Sequence, residues 1–488
     1  MGYILPQSRE QLVLSNYIDD YVSSDNPVRL IDAFVEKVIK LRLDLSTGKG
    51  NSFVGRASFQ ISTFLKLYLY GYLNGISSSR KLEKETYRNL EVIWLLGKLH
   101  PDHKTISDFR KDNKEAIRTT VLLLRKFLKE EGYIGGKLIA YDGTKVKAYA
   151  SKDMISMQQI ARKLNHLEKE LDKYLTQLQS NDAVEGVEDQ LSGLADELNV
   201  ESALLEKIAQ LQEQVASLEK QKNFLEETQR DSFAPVDPEA KLMKTKEGFM
   251  PAYNVQSGVD DKHHMITQMD VTDEPTDYHC LQPNINATQE QLDLTPETAL
   301  ADKGYASEDQ IKDIEKNNGV TCVVPFPERV PSRKQIEAGI TFTYIPERDC
   351  YTCSQGQTLA LVLKRKLKRN KPYSKYQGLN CKNCSLMESC TKSIKGRVIY
   401  RRIENDWLQG YFQRIKTPQF KDWIQMRKTL VEHPFGTIKY WMGQIPLLLR
   451  GKEKVQTEID LYSTCYNLKR LSNIENMAVL LQKIETWG

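Results

Sequence analysis

The chain has 488 residues, more than one ordinary domain holds, and its length predicts two or three folded units. Hydrophobic residues make up 40% and charged residues 27%, so the composition excludes wholesale disorder and a membrane protein. The net charge is only +4, no apolar run approaches the ~18 residues that span a bilayer, and the first residues lack a leader pattern, so we expect a cytoplasmic protein.

The first 132 residues have a helical pattern. Apolar segments end at glycine breakers such as Gly71, Gly75 and Gly97. Short helices with glycine turns and basic faces suit DNA binding, and a bundle that only packs is the alternative. The prediction for residues 1–132 is a helical DNA-binding domain.

The pattern changes after Gly136, where an apolar run of strand length leads to Asp142. Four more segments have strand character: 253–259, 265–271, 298–301 and 320–324. A helical stretch separates the last two, and a strand–helix–strand order predicts an α/β fold. The predicted core comprises 133–152, 232–324 and 403–450, and a C-terminal helical segment follows over 451–488.

An insertion from 153 to 231 interrupts this core with apolar residues at heptad spacing. The repeats are Leu164, Leu167, Leu171, Tyr174 and Leu178, then Ile208, Leu211, Val215, Leu218 and Leu225. Heptads of this kind predict paired helices. With a turn around Gly186 and Gly193, the insertion is predicted to be an antiparallel coiled-coil hairpin.

A second insertion, 325–402, contains five of the eight cysteines: Cys350, Cys353, Cys381, Cys384 and Cys390. Two CxxC pairs at this separation are typical of a four-thiolate Zn²⁺ site. Four of the five cysteines are therefore candidate zinc ligands. Reduced thiols without metal are the alternative.

The same insertion is strongly basic. Between Lys364 and Arg402 there are thirteen Lys or Arg residues and one acidic residue, Glu388. The candidate DNA contacts in this run are Lys364, Arg365, Lys366, Lys368 and Arg369. A positive field of this density suggests a polyanionic partner, and a solvated basic loop is the alternative.

Three acidic residues could carry chemistry. Asp142 and Asp302 each end a short apolar run with glycine close behind, at the sheet edge where ligands bind in α/β folds. Asp142–Gly143 is also a common turn dipeptide. The third acid is Glu432, in the segment Val-Glu-His-Pro-Phe-Gly-Thr-Ile-Lys that ends at Lys439.

With these residues the chain resembles the DDE transposases of bacterial insertion sequences over almost its whole length. Tyr-Asp-Gly-Thr-Lys at 141–145 resembles the family's first Asp motif, Ala-Asp-Lys-Gly-Tyr at 301–305 its second, and the segment around Glu432 its Glu motif. Residues 250–256 resemble the family's central strand. The likeness is to the branch with a helical insertion after the first Asp and a cysteine-bearing insertion before the Glu.

The resemblance implies a ribonuclease-H-like core in which Asp142, Asp302 and Glu432 hold two Mg²⁺ or Mn²⁺ ions. Oxygen ligands of this kind suit Mg²⁺, and a metal pair suits in-line phosphoryl transfer. Related elements often place Tyr, Arg, Glu and Lys around the third acid, where this chain has Gln425, Lys428, Glu432 and Lys439. Arg427, one position away, is expected to stand in for the arginine, and Lys439, Arg427 and Lys428 are candidate DNA contacts.

The sequence therefore predicts a DNA transposase that cleaves at the ends of its element and joins the freed 3′-hydroxyls to target DNA. The expected partners are double-stranded DNA, as terminal repeats and as target, and a second copy of the chain in a homodimer, with no membrane. The expected location is the nucleoid in a bacterial cytoplasm. Two alternatives remain: a silent DNA-binding protein derived from a transposase, and a metal-dependent nuclease that does not join strands.

Overall fold

The computed structural model describes most of the chain: residues 17–46, 59–151, 153–185, 194–326, 332–368, 371–378, 380–402, 406–440 and 447–488. For residues 46, 178–185, 194–201, 365–368, 371–372, 402 and 406 it describes the backbone only. The chain forms two compact units, one comprising 1–322 with 426–488 and the other 323–425.

The N-terminal part of the first unit is helical. Its helices are α1 Pro27–Leu41, α2 Leu43–Ser46, α3 Ile61–Leu73, α4 Ser79–Arg88, α5 Leu90–Leu95, α6 His103–Asp112 and α7 Lys114–Glu130. The start of α1 is fixed by local chemistry, because Asn26 accepts a hydrogen bond from the amide of Val28 and Pro27 occupies the first turn. Its apolar stripe, including Leu30 and Phe34, is then buried.

Strand β1 (Leu138–Lys147) is followed by the helical insertion, which consists of β2 (Ile155–Ser156), α8 (Met157–Glu185), α9 (Leu194–Thr228) and β3 (Ser232–Phe233). The short strands pair antiparallel at the base of the insertion. Ile160 and Leu164 of α8 pack there with Leu225 of α9 and with Phe233. The turn predicted around Gly186 and Gly193 lies outside the described residues.

The main sheet contains β1 and five later strands. In chain order the later elements are β4 Lys241–Thr245, β5 Gly248–Asp260, β6 Ile266–Thr272, α10 Leu281–Leu292, β7 Thr298–Leu300, α11 Glu308–Asp313 and β8 Thr321–Val323. The strand order is β4-β5-β1-β7-β8, with β6 also paired to β5. Strand β1 runs antiparallel to β5 and parallel to β7. Strands β1, β5, β6, β7 and β8 lie where apolar runs predicted strands, whereas β4 was not predicted; the fold is mixed α/β.

The second unit has a five-stranded sheet in the order β13-β12-β11-β10-β9. Its elements are α12 Arg333–Glu337, β9 Phe342–Ile345, β10 Cys350–Cys353, β11 Thr358–Lys368, β12 Lys371–Gly378, α13 Met387–Cys390, β13 Val398–Arg402 and α14 Asp406–Ile415. The chain continues in α15 Pro418–Tyr440, α16 Lys452–Ile474 and α17 Met477–Thr486.

One apolar core connects the parts of the first unit that are far apart in sequence. It contains Phe34 and Phe127 from the N-terminal helices, Val255 from β5, Ile438 from α15 and Leu468 from α16, all of them buried. Burial of this apolar surface is the main stabilising contribution to the unit. The N-terminal helices, the sheet and the C-terminal helices therefore share a core.

Candidate active site

Asp142 lies within β1, not at its end as predicted from sequence, and Asp302 comes two residues after the end of the neighbouring strand β7. Strands β1 and β7 are parallel, and Ala140 is the register partner of Leu300. Each aspartate follows two residues later, and adjacent strands are about 4.8 Å apart. The fold thus brings together two carboxylates separated by 160 residues of sequence.

The environment of Asp142 has both repulsive and attractive charges. Together they raise its pKa to about 6: burial raises the pKa most, Arg427 lowers it, and the carboxylates of Asp302 and Asp277 raise it. Arg427 Nη2 donates to Asp142 Oδ1 at 2.7 Å. The Arg427 side chain is only 12% exposed, so this is a partly desolvated ion pair. A residue expected to contact DNA thus forms an ion pair with the first acid, and its contact with DNA remains a prediction.

Asp302 lies in a tight turn directly after β7. Its Oδ1 accepts a hydrogen bond from the amide of Gly304 at 2.7 Å and so caps a single 3₁₀ turn at Lys303–Tyr305. This capping fixes the direction of the side chain relative to the sheet. The Asp-Lys-Gly-Tyr motif therefore has a structural role, in forming this turn, as well as a chemical one.

Helix α15 carries the remaining predicted residues. Lys439 Nζ donates to Thr144 Oγ1 at 3.1 Å, on the same face of β1 as Asp142. Burial lowers the pKa of Lys439. Glu432 is two turns before Lys439, and its side chain is exposed, as is that of Lys428.

Across the described residues, no group of three or more His, Cys, Asp or Glu side chains is arranged to hold a metal ion. The chemistry of the Asp142–Asp302 pair fits a hard divalent cation, since both supply carboxylate oxygen at one sheet edge. The third acid predicted from sequence, Glu432, is not gathered with them into such a group.

Sequence reasoning missed Asp277, which lies beside the two aspartates. Its Oδ1 accepts hydrogen bonds from Lys145 Nζ at 2.9 Å, from Asn254 Nδ2 at 2.7 Å and from Gln256 Nε2 at 2.8 Å. The signal for it was Asn254 and Gln256 themselves. Two polar residues on one face of an otherwise apolar strand require a buried partner.

Four of the five cysteines of the second unit share one cavity, and the fifth lies apart from them. Cys353, Cys381, Cys384 and Cys390 line one small cavity, whereas Cys350 is not among its lining residues. Burial raises the pKa of Cys390, Arg397 lowers it, and the other three cavity cysteines raise it further. Four sulfur atoms therefore lie within electrostatic range of one another.

The separation of Cys350 follows from strand geometry. Cys350 and Cys353 are the two ends of β10, which pairs with β9 over its full length. Residues three apart in a strand point to opposite faces, so this CxxC segment is not a knuckle. Cys350 is buried on the other side.

The predicted basic run is described only in part. Lys364 on β11 is 69% exposed at the side chain, and its Nζ is 3.9 Å from an Asp349 carboxylate oxygen. Arg365, Lys366 and Lys368 are also on β11, with side chains outside the described part of the chain, and Arg369 lies outside it altogether.

Among the helices that the structure describes, none is long and apolar enough to cross a membrane.

Two family models match the chain. Residues 352–472 match the transposase DDE domain, and residues 16–112 match a transposase domain of the family DUF772. Each match covers less than half of the chain, and together they support a DDE transposase of the insertion-sequence type.

Curated proteins and solved structures add little to these two family matches. No curated protein matches the chain significantly. Among solved structures, the cryo-EM structure of a piggyBac transposase synaptic complex with hairpin DNA aligns over 94% of this chain and 79% of that chain, with 8% identity and a TM-score of 0.33. A TM-score at that level does not establish a shared fold.

Proposed function

We propose that the chain cleaves DNA at the ends of its own mobile element and joins the freed 3′-hydroxyl groups to target DNA. The observation that carries the proposal is the closeness of Asp142 on β1 to Asp302 just after β7, since each follows by two residues the register pair Ala140 and Leu300 of these parallel strands. Both aspartates are partly buried, and a pair of like charges in such a place is costly unless a cation compensates it; such clusters mark functional sites.

The topology supports a ribonuclease-H-like core. Strands β6, β5 and β1 are consecutive antiparallel neighbours, and β7 joins β1 in parallel on its other side. The first acid is then on β1, in the middle of the sheet, and the second directly follows its parallel neighbour β7. The domain limits predicted from sequence remain part of this proposal.

The residues that would hold Mg²⁺ or Mn²⁺ are Asp142, Asp302 and Glu432. When bound, a metal pair activates a water or a 3′-hydroxyl and stabilises the leaving oxygen of an in-line displacement. Arg427 holds the Asp142 carboxylate in one orientation through its 2.7 Å hydrogen bond. Lys439 places a positive charge on the same edge, where a DNA phosphate would be attracted.

The partners we propose are double-stranded DNA and a second copy of the chain. The basic residues of the second unit and the N-terminal helices would bind the terminal repeats. The hairpin of α8 and α9 would act as a coiled coil in assembly, because its apolar residues provide packing and it carries no convergent acids. The protein would then act on the nucleoid DNA of its cell.

A joining assay separates this function from its two alternatives. A labelled duplex ending in a 3′-hydroxyl is incubated with supercoiled plasmid and Mg²⁺, and covalent transfer of the label is followed. Joined product supports a transposase. Cleavage without joining indicates a nuclease, and binding without either reaction indicates a silent DNA-binding protein.

We also propose one Zn²⁺ per chain in the second unit, with Cys353, Cys381, Cys384 and Cys390 as ligands. Support comes from their shared cavity and from thiolate spacing. Binding would draw the four thiols together with loss of their protons, since metal binding and local folding are coupled in such sites.

The zinc proposal predicts unequal effects for two neighbouring cysteines. Cys353→Ser should reduce zinc content from about one per chain to near zero, measured by elemental analysis after purification without chelator. Cys350→Ser is the matched control and should retain zinc. Equal zinc content in both variants, or none in the parent protein, would refute the ligand set.

A further inference from the structure

One oxygen of the Asp277 carboxylate, Oδ1, already accepts three hydrogen bonds. Oδ1 accepts from an ammonium group, Lys145, and from the two side-chain amides of Asn254 and Gln256, all within 2.9 Å. The side chain is 22% exposed. Three donors on one oxygen, one of them charged, hold the carboxylate in a single orientation.

The donors belong to a buried polar network that extends to the second aspartate. Gln256 Oε1 accepts from Asn284 Nδ2 at 2.8 Å and from the hydroxyl of Tyr305 at 2.6 Å. Asn254, Gln256, Asn284 and Tyr305 are all at most 4% exposed. Tyr305 ends the turn that begins at Asp302, so the network connects Asp277 to that turn. Satisfied buried networks specify one geometry.

Asp277 also touches the backbone beside both aspartates. A Cβ built on Gly143 would be 2.5 Å from Asp277 Oδ1, and one built on Gly304 would be 3.6 Å from Asp277 Oδ2. Gly143 follows Asp142 directly, and Gly304 is the residue that Asp302 caps. One carboxylate therefore lies against both acid-bearing segments.

We propose that Asp277 is a positioning residue that sets the separation of Asp142 and Asp302, and that it does not itself bind the metal. This rests on the proposed function. Oδ1 already accepts three hydrogen bonds, which commits it to positioning. Metal binding would have to use Oδ2, the oxygen that Asp277→Asn replaces. The strand residues Asn254 and Gln256 act through it, because they orient Asp277 and make no contact with the reacting groups.

Two substitutions distinguish positioning from metal binding. In Asp277→Asn the amide oxygen can still accept the three hydrogen bonds, so the single-turnover rate of joining should stay within about tenfold of the parent rate. In Asp277→Ala all three are lost and the rate should fall about 100-fold or more, because a displacement near 1 Å costs about that much. The Mn²⁺ concentration for half-maximal rate should be unchanged in Asp277→Asn.

Each other outcome overturns the inference. Asp277→Asn as inactive as Asp142→Asn would make Asp277 a metal ligand, and Asp277→Ala at the parent rate would leave it without a role. If Asp277→Ala does not fold, the single-turnover joining rate of Asp277→Asn alone decides whether the inference stands. If the parent protein joins no DNA, the proposed function fails, and crystal structures of the variants then test the inference. An Asp142–Asp302 separation that is unchanged in Asp277→Ala refutes it. If Asp277→Ala does not fold, a changed separation in Asp277→Asn refutes it.

Discussion

Replacing Asp142 or Asp302 by asparagine should lower strand transfer by about 10³-fold or more while leaving terminal DNA binding nearly intact. Each change removes one anionic oxygen ligand but keeps the shape of the side chain, and metal chemistry contributes several kcal/mol to such reactions. DNA binding should persist because the basic residues are untouched. Rates are measured in single turnover with Mg²⁺, and binding by mobility shift.

Asp293→Asn is the matched control for these two variants. Asp293 ends α10, is exposed and has a left-handed backbone with φ of 48°, which asparagine tolerates well. It should transfer strands at the parent rate. Full activity in Asp142→Asn or Asp302→Asn would remove the two aspartates from the chemistry.

Gly143→Ala should have the second largest effect, because the chain has no space for a methyl group there. A Cβ on Gly143 would be 2.5 Å from Asp277 Oδ1 and 3.0 Å from Asn254 Oδ1. Asn254 is fully buried and hydrogen-bonded, so it cannot move aside. We expect a loss of about 1–3 kcal/mol in the free energy of unfolding from overpacking, and about 100-fold or more in joining rate from displacement of Asp142.

Gly436→Ala is the control, since Gly436 is inside α15 and has open space around its Cα. Alanine in a helix interior should raise the free energy of unfolding by about 0.5–1 kcal/mol and leave joining unchanged. Urea unfolding and the joining assay are measured for both variants. If Gly143→Ala behaves like Gly436→Ala, the packing around Asp277 does not constrain the site.

The positions of Asp142 and Asp302 could be predicted because the signals are local. Each aspartate follows an apolar run with a glycine nearby, which located both beside strands, although Asp142 lies within β1 and not at its end. The parallel pairing of β1 with β7 was not predicted, because the expected strand–helix–strand order concerned β7 and β8. The contacts of Arg427 could not be predicted. It is 285 residues from Asp142 in sequence, and only the packing of α15 against β1 brings the two side chains to 2.7 Å.

The cysteines show a second limit of prediction from sequence. Spacing alone made Cys350 and Cys353 equivalent members of one CxxC pair. Continuous pairing of β10 with β9 keeps the segment extended and sends the two side chains to opposite faces. Whether a CxxC segment turns or stays extended depends on its neighbours in the sheet, and the motif contains no information about them.

The most direct test of the account is whether Glu432 acts as one unit with the two aspartates. Single-turnover joining is measured for Glu432→Gln, Asp142→Asn and the double variant. If the three acids hold the same metal ions, each single change removes nearly all activity and the double variant is little worse than either, because effects within one site are not additive. Joining by Glu432→Gln at near the parent rate would contradict the account and would show that the third acid is another residue.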